Sequence, residues 1–220
     1  THAVMARRYL DPQTAADLGK LDPEAISRAV EELRPEPRNA DELHDALMSF
    51  GFLTQEETLP FASAWEILFK DKRATKIASI VCAAERLPEL LAIFPDAEPG
   101  IPVLQELQTR LWSREEALRE VVRDRLQGSG PTRSPSLAAT LGVSGSDMES
   151  ALLALESEGS IMRGRFTPGA TEEEWCERRV LARIHRYTVN RLRAEIEPVE
   201  LRDFLRFLFH WQRAAPEQRV

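Results

Sequence analysis

In REEALREVVRDRLQ, residues 114 to 127, the apolar positions Leu118, Val121, Val122 and Leu126 fall three and four apart. That spacing predicts a helix with one apolar and one charged face. A second short helix is predicted in SLAATLG, which offers Leu137 and Leu141 and turns at Gly142, and a third offers Met148, Ala151, Leu152 and Leu155. The period then drops to two: SIMRGRF, residues 160 to 166, alternates apolar and basic side chains before a turn at Pro168-Gly169 and predicts a strand. Earlier, TKIASIVCA, residues 75 to 83, predicts one strand from its β-branched and small residues. Helix starts are marked by an acceptor side chain that satisfies an orphan amide of the first turn. Asp22 before Pro23, Asn39 with Glu42, Ser113 with Glu116, Ser144 with Asp147 and Thr171 with Glu174 all fit this pattern.

Short strands among many helices give a mainly α fold with short β wings, read as tandem winged-helix-like modules. Pro, Gly and Ser concentrate in RPEPR, FPDAEPGIP and GSGPTRSPS. The second, near residues 95 to 102, is the expected boundary between a module at 1–97 and one at 98–220, the latter ending in a long basic helix and an apolar one. A short echo, ALMSFGFL (46 to 53) and ALESEGSI (154 to 161), supports two modules, since in both a helix ends at glycine and passes into a strand.

Composition narrows the chemistry. The chain has 220 residues and a formal charge of −7, so contact with nucleic acid must come from a local patch rather than a global field. Cys82 and Cys176 are the two cysteines, far apart, which encodes neither a disulfide framework nor a zinc ribbon and points to a reducing, cytoplasmic setting. There is no apolar run of membrane-spanning length, so no membrane partner is expected. No phosphate-binding loop, dinucleotide fingerprint, zincin motif or nucleophile elbow is present, and the four histidines are scattered. No catalytic residue and no metal ligand is expected in these residues. Thr1-His2 is not a natural start and LRDFLRFLFHWQRA is too apolar to stand alone in water, so the chain reads as a piece of a longer polypeptide.

Two readings compete for the rest. The third helix of the second module begins with Ser144, Ser146, Asp147, Glu149 and Ser150, which offer no side chain suited to a base edge and two carboxylates that repel phosphate. Sequence-specific reading is therefore not expected there. The wing differs, with Arg163 and Arg165 alternating along it, and Arg179, Arg183, Arg186, Asn190 and Arg193 then recur on one stripe of a helix whose opposite face carries Leu181, Ile184 and Leu192. Such a helix lies along a phosphate backbone, and Trp175 and Tyr187 offer rings for stacking on an unpaired base. The bland alternative is a solvated face with intrahelical pairs such as Glu174 with Arg178. A second surface, the apolar helix with Phe204, Leu208 and Trp211, suits docking onto other domains or subunits.

The strings LDPQTAADLGKLDPEAI, PEPRNADELHDALMSFGFL, VCAAERLPELLAIFPDA and WCERRVLARIHRYTVNRLRAEIEPVELRDFLRFLFHWQ resemble the large helicase-related (Lhr) family of bacterial superfamily 2 helicases over nearly the whole chain. That resemblance implies a non-catalytic accessory region of an ATP-dependent DNA helicase acting in repair. It implies single-stranded or forked DNA as partner, together with the motor domains of the same polypeptide and a homo-oligomer. ATP and Mg belong, on this reading, to the motor domains, whose motifs are not in these residues. Long family members are also associated with uracil-DNA glycosylase activity, for which no position here matches a catalytic residue.

Overall fold

The computed structural model describes residues 21–103, 110–194 and 199–212. Thr1-His2, most of the first resembling string and the end of the last helix lie outside the described residues. The fold is mainly α with short antiparallel β elements. The first half runs α1 (Pro23–Leu33), α2 (Ala40–Phe50), β1 (Leu53–Thr54), α3 (Gln55–Thr58), α4 (Ala62–Lys70), β2 (Ala74–Ile77), β3 (Ile80–Ala83) and α5 (Leu87–Ile93). The second runs α6 (Arg114–Gln127), α7 (Ser134–Leu141), α8 (Gly145–Ser157), β4 (Ile161–Gly164), β5 (Glu174–Glu177), α9 (Arg178–Ala194) and α10 (Leu201–Trp211).

Four of the five expected helix starts cap helices. Asp22, Asn39, Ser113 and Ser144 each accept from a first-turn amide. A further reciprocal box, Thr54 with Glu57, starts α3. Thr171 with Glu174 starts no helix, because Glu174 is a buried residue of β5. The stretch expected as one strand at 75 to 83 is a hairpin that reverses at Ala78, a non-glycine residue at φ 50. Small side chains at Ala78 and Ser79 make that tight reversal possible where the β-branched pattern alone suggested continuity.

From α2 in the first half and α6 in the second, one order recurs: helix, short extended segment, helix, helix, two-stranded ribbon. In the first, β1 pairs with β3 and β3 with β2. In the second, Thr132 takes the place of β1 by bridging to Trp175 of β5, which pairs with β4. The sequence echo does not follow this correspondence. Gly51 and Gly159 both end a helix at positive φ before a strand, but α2 opens the recurring order and α8 is its third helix. The echo reflects a shared way of ending a helix, since glycine meets no Cβ penalty there.

The core explains why the halves stay together. β3 is buried on both faces, with Ile80 and Cys82 in one cluster and Val81 and Ala83 in another with Leu43, Leu47 and Leu68. The first cluster continues through Leu87, Leu90 and Ile93 of α5 onto Leu118, Val121 and Val122 of α6, so apolar packing runs across residue 97. Polar ties follow the same seam. Arg86 pairs with Glu89 and with Asp124 of α6 (2.7 Å) and donates to the Met48 carbonyl. Arg125 of α6 reaches Glu57 (2.6 Å).

Candidate nucleic-acid interface

The expected arginine helix exists as α9, and the wing is the β4–β5 hairpin before it. Two buried carboxylates of β5 fix this junction. Glu174 accepts from the amides of Phe166 (2.8 Å) and Thr167 (2.7 Å) and from the Thr167 hydroxyl (2.7 Å), which holds the far end of the hairpin against its second strand. It forms no intrahelical pair with Arg178. Glu177 accepts from the amides of Arg179 (2.6 Å) and Val180 (2.8 Å), satisfying orphan donors at the start of α9 and favouring the positive end of the helix dipole.

The buried face of α9 is Val180, Ile184 and Thr188, with Leu181 half-buried. Leu192, expected inside, is 44% exposed. The face is displaced because its cover is α1, an element remote in sequence. Ala25 and Ala29 of α1, four apart, are small enough to let the helices approach closely. The contact is clasped by polar bonds. Thr188 Oγ1 accepts from the Asp22 amide (3.1 Å), and Arg191 pairs with Asp22 (2.8 Å) and Glu24 (2.7 Å).

The expected stripe lies on the outer side. Arg179, Arg186, Asn190 and Arg193 are exposed and Arg183 is half-exposed. Among the described residues none of Arg165, Arg178, Arg179, Arg183, Arg186 and Arg193 forms an ion pair. Elsewhere most arginines are paired, including Arg28, Arg73, Arg86, Arg114, Arg119, Arg123, Arg125 and Arg133. Arg163 belongs with the paired set, bonded at 3.5 Å to both Glu156 and Glu173.

Neither ring expected to stack is freely offered. Trp175 is 2% exposed, because on a strand rather than a helix its side chain points into the main core, with the Arg163 guanidinium over its ring at 5.5 Å. That burial corrects its expected role. Tyr187 is half-buried; its hydroxyl donates to Glu32 (2.6 Å) and Arg28 lies over its ring at 4.4 Å. The Tyr187 hydroxyl and then Arg28 hold the Glu32 carboxyl below its ordinary range, with Arg183 adding to the effect.

A cleft of about 430 Å³ opens between the wing and α9. Its more buried lining is Leu21, Phe166 and Leu181, and the exposed Met162, Ala182, Arg165, Arg178 and His185 surround it. The sequence offers Arg178 only as a partner for Glu174 and His185 only as one of four scattered histidines. Their signal was available once α9 is started at residue 178, since 178, 181, 182 and 185 then share a face. A larger groove, about 750 Å³, lies between α1, the α2–β1 corner and the 128–132 turn, but it includes Glu56 and Glu57 and its Arg125 is already paired. Its charge does not suit a polyanion.

The expected docking residues are on α10, where Phe204 is 46% and Trp211 69% exposed and Leu208 is half-buried. His44 is mostly buried and bonds Glu85 at 3.0 Å. Among the described residues there is no cluster of three or more His, Cys, Asp or Glu side chains able to hold a metal, and no helix is long and apolar enough to cross a membrane.

No family model matches the chain. A curated protein of Mycolicibacterium smegmatis (strain ATCC 700084 / mc(2)155), described as "Lhr helicase/ probable uracil glycosylase", is 27% identical over 220 residues. The match covers 95% of this chain, which spans 14% of that protein's length. The chain is thereby linked, weakly, to a part of the Lhr helicases.

Proposed function

We propose that this chain is a helicase-associated accessory region that holds DNA, without sequence preference and without bond chemistry, through the outer face of α9 and the adjoining wing. The observation that carries this reading is the set of arginines with no ion pair among the described residues, on an acidic chain that pairs most of its others. From Arg179 to Arg193 the stripe is about 21 Å long at ~1.5 Å per residue, enough to meet several successive phosphates of one strand. Each phosphate neutralised releases counterion, so the affinity is salt-dependent. The repeated order of elements supports reading the halves as tandem winged helices, with a boundary near residue 97. The acidic start of α8 supports backbone contact rather than base reading. ATP and Mg act, on this reading, in motor domains of a longer polypeptide, and repair is the process served.

Fluorescence-anisotropy titration with single-stranded, duplex and forked DNA at two salt concentrations tests the reading. Binding is expected to weaken with salt and to fall at least about tenfold in the Arg183→Glu, Arg186→Glu double variant. Absence of binding to all three overturns it.

A second reading, a docking and assembly module, is favoured by α10, which exposes Phe204, Phe207, Phe209 and Trp211 together. It expects Phe204→Ser, Leu208→Ser and Trp211→Ser to change the sedimentation of the protein while DNA affinity stays the same.

A further inference from the structure

We infer that the cleft between the wing and α9 seats one unstacked base of a single strand, with its flanking phosphates against Arg165 and Arg178. The inference rests on the DNA-holding reading and adds to it a preference for strand over duplex. Four observations carry it.

The first is size: about 430 Å³ falls in the range of small-ligand clefts, roughly 300–1,000 Å³. The second is the division of chemistry. Leu21, Phe166 and Leu181 form an uncharged lining that accepts a flat, weakly polar ring, and Phe166 supplies an aromatic face. Arg165, Arg178 and His185 stand around it, and among the described residues no carboxylate lines it and neither arginine has an ion-pair partner.

The third is preorganisation. Phe166 cannot drift, because Glu174 holds its amide and that of Thr167, and Gly164 lets its ring lie against the strand where a Cβ would stand 3.0 Å from it. Arg178 is fixed from the other side, its amide bonded to the Ser160 carbonyl at 3.0 Å and the next turn capped by Glu177. The fourth is continuity. At 100° per residue Ala182 lies between the cleft face (Arg178, Leu181, His185) and the stripe (Arg179, Arg183, Arg186), so a strand following the stripe passes the mouth of the cleft. Bases in a duplex are stacked and paired and cannot enter without being unstacked, whereas those of a single strand can.

The test uses the full chain and a single-stranded oligonucleotide carrying one 2-aminopurine, alone or annealed to its complement. Ala182→Trp fills the mouth and leaves every charge in place, and Met162→Glu sets a carboxylate at the rim from an exposed position. Circular dichroism checks that both remain folded. The 2-aminopurine fluorescence of the single strand is expected to rise when the wild-type chain binds. Both variants should lose that rise and bind the single strand about tenfold more weakly, and Ala182→Trp, which alters no charge, should leave duplex affinity unchanged.

Ala182→Trp binding the single strand as the wild type does, with the same rise, overturns the base seat. So does a wild-type chain that holds single strand and duplex equally with no change in fluorescence, although the arginine stripe then stands, as shown by loss of both in Arg183→Glu, Arg186→Glu. A wild-type chain that ignores DNA but binds a fluorescent Glu- and Phe-rich peptide, lost in Ala182→Trp, overturns both in favour of protein docking.

Discussion

Arg86 shows how much one side chain can hold. It neutralises Glu89 and Asp124, both pushed above their ordinary range by burial, and ties α5 and α2 to α6. Arg86→Ala leaves two part-buried carboxylates facing each other, a change expected to destabilise by about 3–5 kcal/mol at neutral pH. The sign with pH follows from the raised values. A carboxyl that keeps its proton to higher pH folded than unfolded loses native stability as pH climbs from the unfolded value through the folded one. The deficit of the variant is therefore largest at neutral pH and shrinks in acid, where both groups are protonated, which urea titrations at pH 4 and pH 7 compare directly. Nothing in the spacing of Arg86, Glu89 and Asp124 announces this cluster, since its third member is brought in by tertiary packing alone.

The elements divide into those written locally and those decided by distant neighbours. Caps at Asp22, Asn39, Ser113 and Ser144 act within one turn, so they were legible. Thr171-Glu174 carries the same signature, but Glu174 finds three better donors in the wing tip and becomes a strand residue. That competition also moved the start of α9 and turned Trp175 inward. The arginine stripe survived the shift because periodicity does not depend on where a helix begins. The cleft did not, because it needs the wing beside the helix. Glu174→Ala removes the acceptor from two amides, at about 1–3 kcal/mol for groups left unsatisfied. Hydrogen exchange at Phe166 and Thr167 is expected to speed up while α6, α7 and α8 keep their protection; unchanged exchange at those two amides counts against the clasp.

Across the whole molecule, apolar packing joins the elements on the two sides of FPDAEPGIP. Leu90, fully buried on α5, shares a cluster with Val121 and Leu126 of α6. Leu90→Ala is expected to lose about 2–5 kcal/mol. Far-UV circular dichroism and tryptophan fluorescence should shift together to one lower midpoint, because Trp65 and Trp175 report on different halves. Two separate midpoints indicate independent folding. Pro- and Gly-rich composition marks where the backbone turns, but whether two halves then share a core depends on which faces meet, and no local pattern encodes that. A last consequence follows from the pairing of Arg191 with Asp22 and Glu24 beside the Thr188 bond. The path that enters at Leu21 and the one that leaves through the end of α9 are fastened to each other, so tension applied between residues 21 and 194 strains that fastening before it reaches the core. The load at which the unit first yields is set by a few surface contacts, and Arg191→Ala should lower it in a pulling experiment far more than it lowers the melting temperature.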